Sequence, residues 1–466
     1  MSTDTTTSPI GPAGDAEGVP RPTVVPAEPY TFPTPQRRTL DNGLQVVVYD
    51  VPGQYVHSVR LSVPLPLSRE PRDIEGVATI MARTLDEGTA LHGSAEFARL
   101  LERRGVALGA GASDSGLGVD LDVAKRHLDY ALELLRQALT EPAFPATEVD
   151  RHVKQRLAEI EQERSVAAQR GAMELIARFF DPAERASRPT AGTRQSVAAI
   201  TRDDVVRFHA QHVAPTGATL VLAGDLADVD GFAAVARALG GWSAPEGWTP
   251  PAEPVAARPA PDRVGIVLVD RPGSVQSELS VACPGPDRQV AGGWAPYPVL
   301  GFVLGGSPNA RVDAVLREEK GFTYGIRSSF RPRRRGGLFV TSGSVRGDAT
   351  VEALDILLGL LDTAREGFTP DETKQGVDYI AMTAAARYAT ADAIADEAAS
   401  LAFEGLTTQF TTDTLRDLTR VDPARLDAAY RAFVDGGWTV VVVGDAAAHA
   451  DGIRALGRGD VTVVSG

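Results

Sequence analysis

Cysteine is almost missing. Cys283 stands alone in 466 residues, which excludes an internal disulfide and any zinc site built on thiolates. Histidine is scarce too, seven in all, so a metal site would have few imidazoles to draw on. No window approaches the ~18 consecutive apolar residues that a bilayer span requires. Positive charge is not in surplus either. With 47 Lys and Arg against 61 Asp and Glu, for a formal net charge of -14, the chain lacks the basic excess that displaces counterions from a nucleic-acid backbone. The start, Met1 to about Ala27, is rich in Thr, Pro and Gly and lacks the basic cluster and apolar stretch of a secretion signal. It reads as a disordered tail, extending to residue 36. These absences predict a soluble protein of a reducing compartment, by default the cytoplasm, with neither nucleic acid nor membrane as partner.

What is present is ordinary globular material, 43% hydrophobic and 23% charged, in a chain long enough for two domains. Leu44-Gln45-Val46-Val47-Val48-Tyr49 and Val56 to Val63 read as strands, and Pro52-Gly53 turns the chain between them, which predicts a hairpin. The pattern returns as Val264 to Val269, Asp270-Arg271-Pro272-Gly273, and Val275 to Val281. Asp50, Pro52 and Gly53 thus answer to Asp270, Pro272 and Gly273. Each half closes alike, with Ala218 to Asp225 in the first and Trp438 to Asp445 in the second. Three elements in one order at a nearly constant offset indicate duplication. Ser243 to Asp262 holds six prolines and little periodicity, the mark of an extended linker. The expected organisation is a tail 1–36, a domain 37–242, a linker 243–262 and a domain 263–466.

Between the strand runs, Phe97 to Arg104, His127 to Leu135 and Glu148 to Arg164 show helical spacing of apolar residues. The predicted fold class is α+β, two homologous domains, each an antiparallel-rich sheet packed with helices. His209 and His212, three apart, and His152 on the charged helix are conceivable metal ligands. Isolated helix histidines are more often surface or cap residues, and these are read so.

The stretch Arg69-Glu70-Pro71 through Gly76-Val77-Ala78-Thr79-Ile80-Met81-Ala82-Arg83-Thr84-Leu85-Asp86-Glu87-Gly88-Thr89 resembles the start of the insulinase-type (pitrilysin) zinc metallopeptidases. In that family the corresponding helix carries H-x-x-E-H, two imidazoles one turn apart to bind zinc and a glutamate to deprotonate its water. Here Thr79 and Arg83 stand at the histidine positions and Ala82 at that of the glutamate. Threonine binds zinc poorly and arginine repels it. The family's third ligand, a glutamate on a later helix about seventy-six residues on, falls on Glu159. Arg83 facing Glu159 is the expected replacement for the metal.

Leu304-Gly305-Gly306-Ser307 through Leu316-Arg317-Glu318-Glu319-Lys320-Gly321-Phe322-Thr323-Tyr324 is similar to the family's C-terminal signature. There a glycine-rich turn opens a helix ending in L-R-E-x-x-G, and a tyrosine begins the next strand. No G-K-[ST] follows Gly305-Gly306, so the turn is not a phosphate loop. By resemblance Arg317 and Tyr324 are the R/Y pair, catalytic in the sense of reaching the scissile peptide, and Gly305 and Gly306 contact substrate. A phenol can donate to a developing oxyanion and a guanidinium can hold a carbonyl.

Loss of the zinc motif with the pair retained resembles the family's two-chain enzymes. The resemblance implies no cofactor in this chain, zinc in the partner, and as partner a homologous subunit with intact H-x-x-E-H, the two acting on an unfolded peptide. An inert peptidase-like scaffold is the alternative. A hydrolase with another metal geometry around Glu159 ranks last.

Overall fold

The computed structural model describes Val25 and residues 28–466. Two six-stranded sheets organise them. The first is built from β1 (Gln36–Thr39), β2 (Gln45–Asp50), β3 (Val56–Val63), β4 (Ala107–Ser113), β5 (Gly116–Ala124) and β6 (Thr219–Gly224), in the order β1-β2-β6-β3-β5-β4. The second is built from β7 (Gly265–Asp270), β8 (Gln276–Gly285), β9 (Arg327–Pro332), β10 (Gly337–Arg346), β11 (Thr439–Gly444) and β12 (Val461–Ser465), in the order β12-β7-β11-β8-β10-β9. Most neighbours are antiparallel, β2 with β6 and β7 with β11 and β12 being parallel. The fold is α+β, one unit used twice. The sixth strand differs: β1 precedes the unit in the first half, whereas β12 follows it in the second.

The predicted hairpin is not formed. β2 and β3 are successive in sequence, but β6 lies between them, parallel to β2 and antiparallel to β3. β11 separates β7 from β8 in the same way. Turn residues report only that the chain reverses; pairing is decided by the most apolar strand, which takes the centre, where both faces and both edges are covered. Acidic side chains hold the inserted strand. Asp225 accepts from Gly53 N–H at 2.8 Å while Asp50 accepts from Leu226 N–H at 3.0 Å. In the second half Asp445 accepts from Gly273 N–H at 2.8 Å and Asp270 from Ala446 N–H at 2.9 Å. The matching Asp, Pro and Gly residues of the sequence are this exchange.

Each sheet has one face on helices of its own half and the other on a helix from the opposite half. Leu44, Val46 and Val48 belong to the first core, with helices Val77–Arg83 and Leu128–Thr140. Val47 and Tyr49, one residue out of phase, join the core of the second half, whose helix Ala391–Phe403 lies against β3 and β6. Reciprocally, helix Ala167–Phe179 of the first half covers β8 and β11. Leu175, Phe179 and Phe180 there pack on Val267, Val269, Val441 and Val443. Residues 243–262 hold no helix and one isolated pairing, Pro259 with Phe180.

The expectation of a disordered tail to residue 36 meets two limits. Residues 1–24 and 26–27 lie outside the described residues, and the end of the segment is anchored. Tyr30 donates to the Tyr388 carbonyl at 3.2 Å, and Phe32 is buried with its ring 4.5 Å from that of Tyr388. Among prolines, a two-aromatic anchor shows no periodicity. No described helix is long and apolar enough to cross a membrane.

Candidate functional site

Helix Val77–Arg83 starts where Gly76 takes φ +102, a conformation open to glycine. The first backbone N–H groups of a helix need acceptors, and Glu70 supplies one: its Oε1 lies 3.0 Å from both Gly76 N and Ala78 N. Arg185 donates to the other carboxylate oxygen at 2.8 Å. Burial lifts the Glu70 carboxyl above its ordinary value even though Arg185 and the helix N–H groups pull it down. Beside it Arg188 Nε lies 2.9 and 2.8 Å from the two oxygens of Glu75. This buried cluster caps the start of the short helix. Sequence reasoning missed it because each partner is more than a hundred residues away; the readable signal was an acidic residue just ahead of a helix start.

Thr79, Ala82 and Arg83 share one face of that helix, spaced i, i+3 and i+4. Ala82 is fully buried, and Thr79 is 8% exposed with its hydroxyl lacking a hydrogen-bond partner. Arg83 reaches across to helix Ala146–Ser165, where a single nitrogen, Nη1, sits 2.9 Å from both oxygens of Glu159. Glu159 also accepts from Gln155 at 3.1 Å and Arg156 at 3.3 Å, and the buried Arg156 holds Glu163. Burial works to raise the Glu159 carboxyl; the hydrogen bonds and charges of Arg83 and Arg156 outweigh it and leave the group below its ordinary value. The Arg83–Glu159 pair, expected as a buried ion pair, is therefore present but partly exposed, because the two side chains meet near the surface between their helices.

These residues do not fit a zinc ion. A guanidinium already satisfies the one carboxylate, no imidazole is at hand, and a second cation would lie against Arg83. Among the described residues no three His, Cys, Asp or Glu side chains converge. His152 contacts Glu87 at 3.0 Å, His212 contacts Arg69 at 3.2 Å, and His209 contacts the Leu139 carbonyl at 2.9 Å.

The second constellation lies in the other half. Helix Pro296–Gly305 ends against β9, so closely that a Cβ on Gly305 would lie 2.7 Å from Ser328 N. Gly305 is thus a packing position; Gly306 is exposed, although a Cβ there would lie 2.5 Å from Phe302 Cα. Helical turns follow over Arg311–Asp313, and Ala314–Glu319 widens into a π-helix, a local distortion often found at functional sites. Arg317 projects from this widened turn, partly exposed, its nearest carboxylate being Glu318 at 3.5 Å. Gly321 at φ +64 turns the chain out of it.

The loop carrying Tyr324 is pinned on both sides. Thr323 Oγ1 donates to Ser344 O at 2.7 Å and accepts from Gly325 N at 3.0 Å, and the buried Asp313 accepts from Ile326 N at 2.8 Å. Tyr324 itself is 93% exposed. It stands in the loop before β9 rather than beginning the strand as predicted: beyond an isolated bridge from Thr323 to Val345, continuous pairing with β10 starts at Arg327. No hydrogen bond or ion pair joins Arg317 or Tyr324 to Thr79, Arg83 or Glu159.

Comparison with known proteins matches residues 46–193 to the insulinase (peptidase family M16) model and residues 199–378 to the model described as the peptidase M16 inactive domain. The chain belongs to the insulinase family, M16. Among its relatives is an uncharacterized zinc protease of Mycobacterium tuberculosis, 26% identical over 364 residues, 74% of this chain and 78% of that protein. A non-peptidase homolog of Helicobacter pylori is 26% identical over 257 residues, 55% of this chain and 58% of that protein. The crystal structure of a peptidase M16 inactive domain from Pseudomonas fluorescens superposes with a TM-score of 0.81 at 22% identity, covering 88% of this chain and 98% of that one. A protease from Helicobacter pylori gives 0.77 at 16% identity, with 88% and 100% covered. The M16 chain described here is thus peptidase-like, and its relatives carry names of both kinds. Its own first half departs from the zinc motif at Thr79, Ala82 and Arg83.

Proposed function

We propose that this chain is the metal-free subunit of a two-chain M16 peptidase, supplying Arg317 and Tyr324 to a peptide held at the zinc of a homologous partner with intact H-x-x-E-H. The observation that carries this reading is Tyr324: a tyrosine 93% exposed on a loop fixed at both ends. Its ring has little cover within the chain, and a rigid mount suits a group aimed at something outside. Its phenol O–H would donate to the oxyanion that develops on the peptide carbonyl, and the partly exposed Arg317 would hold a neighbouring carbonyl. Gly306, at the exposed end of its helix, is the member of the glycine pair open to a peptide backbone. Arg83 on Glu159 keeps this chain's own former metal position closed.

The test is co-expression with an M16 chain bearing H-x-x-E-H, followed by cleavage of a quenched fluorescent peptide. The isolated chain should be inactive and the pair active. Tyr324→Phe should lower turnover of the intact pair by about 10²–10³-fold, as loss of one oxyanion donor does elsewhere. Full activity of the isolated chain, or of the mutant pair, overturns the proposal. The name of the non-peptidase homolog favours a second reading, an inert scaffold; a pair whose activity ignores Tyr324→Phe would support it.

A further inference from the structure

A cavity of about 280 Å³ opens at the seam of the two halves, away from both constellations above. Its size lies just below that of small-ligand pockets, roughly 300 Å³ and upward. The first half contributes Arg37 from β1 and the inner residues Tyr49 and Ser62; the second contributes Arg334, from the hairpin between β9 and β10, and Thr407 and Thr408. Although the chain carries a net charge of -14, no Asp or Glu side chain lines this cavity. Of the nearby acids, Glu404 is paired with Arg288, while Glu397 accepts from the Thr411 hydroxyl and keeps its charge, which reaches Tyr49 and opposes that of Arg37 there.

The two arginines are poorly neutralised. The Arg37 side chain makes no hydrogen bond or ion pair among the described residues, its backbone being paired with β2. Arg334 has only Glu253, 3.6 Å away and 84% exposed. The floor is hydroxylic: Tyr49 Oη and Thr408 Oγ1 lie 2.6 Å apart, both buried. The ten-residue helix Thr408–Asp417 begins at the wall, so its positive end adds to the same sign. Two under-neutralised guanidinium groups, hydroxyl donors and a helix start, with no lining carboxylate, form an environment for negative charge.

We propose that this cavity binds a small di- or trianion through phosphate or carboxylate groups, and that the bound anion fastens the two halves together. The second part follows from the lining, since the ligand would touch both halves and be lost if they separated. A ligand that binds only the assembled form stabilises it.

The test is isothermal titration calorimetry of the full chain with inorganic pyrophosphate and, in a separate arm, citrate, which distinguishes phosphate from carboxylate recognition. Submillimolar binding of at least one anion is expected, weakening as salt is raised. Arg37→Gln and Arg334→Gln lie on an exposed edge strand and in a hairpin loop, so folding should survive; each should weaken binding by about tenfold or more, and the double variant should abolish it. Arg194→Gln, at a surface ion pair with Glu161, is the control and should bind as wild type. The bound anion should also raise the melting temperature of the wild type and not of the double variant. No binding of either anion at millimolar concentration, or equal weakening by Arg194→Gln and Arg37→Gln, overturns the proposal.

Discussion

Arg83 holds Glu159 through one nitrogen, and about a third of each side chain is still exposed. Removing it leaves Glu159 with Arg156 and Gln155, so the charge is not orphaned and the loss is moderate. Arg83→Ala should cost about 1 kcal/mol, a fall in melting temperature of about 2–4 °C for a domain of this size. A double-mutant cycle with Glu159→Gln should return a coupling energy of the same sign; unchanged melting together with zero coupling would remove the pair from the account of stability. His209 makes a second residue-scale prediction. Burial, only partly opposed by the Leu139 carbonyl, holds its imidazole at about 4 against an ordinary 6.5. A depressed folded-state value means the unfolded chain takes up the proton first, so the stabilisation is complete above about 6.5 and is lost as pH falls toward 4. The loss should be of order 2 kcal/mol after allowance for partial exposure, and His209→Gln, which can still donate to the carbonyl, should flatten melting temperature between pH 6.5 and 4. If the variant's pH slope matches wild type, another group carries that dependence. Arg83 with Glu159 was legible because a family spacing connects them; Glu70 with Arg185 and Arg37 with Arg334 were not, since only the folded chain brings such distant segments together.

The repeat was legible because matching strands begin 220 residues apart, at Gln45 and Gly265, Val56 and Gln276, Thr219 and Thr439. Strand order was not, because a pleated apolar run fixes which faces are buried but not which neighbour it pairs with. The three helices read from apolar spacing lie within a few residues of Ser94–Glu102, Leu128–Thr140 and Ala146–Ser165; helices Ala167–Phe179 and Ala391–Phe403 were not read, nor was the π-helical turn at Arg317, whose widened hydrogen bonds leave no mark on apolar spacing. Gly305 separates two meanings of a glycine in a motif. If it serves contact between helix Pro296–Gly305 and β9, a methyl group there must displace Ser328 backbone and side chain, both 2.7 Å away. Gly305→Ala should then destabilise by about 1–3 kcal/mol, the usual cost of overpacking, visible in chemical denaturation of the isolated chain. A variant as stable as wild type that only weakens peptide binding would return Gly305 to the substrate site.

The halves are coupled by exchange. Helix Ala167–Phe179 belongs by sequence to the first half and covers the second sheet, and helix Ala391–Phe403 does the reverse. Gly171 lets the former lie close, its hypothetical Cβ only 3.3 Å from Val443. Arg60 on β3 adds a polar tie to Asp396 at 2.6 Å, and Ser62 donates to the Ala399 carbonyl at 3.0 Å. At about 1.5–3 kcal/mol for each large side chain buried, Leu175, Phe179, Phe180 and Ile394 together contribute on the order of 10 kcal/mol, as much as the whole net stability of a typical domain. Two homologous domains joined by a proline-rich segment would ordinarily be expected to fold separately; this seam predicts otherwise. Residues 28–262 and 263–466 expressed as separate chains should each expose an uncovered sheet face and a bare apolar helix, bind a hydrophobic dye and aggregate. Co-expressed, they should copurify as a one-to-one complex, because the covalent linker supplies none of these contacts. Monodisperse halves that each melt cooperatively at the temperature of the intact chain would show that the exchange is dispensable.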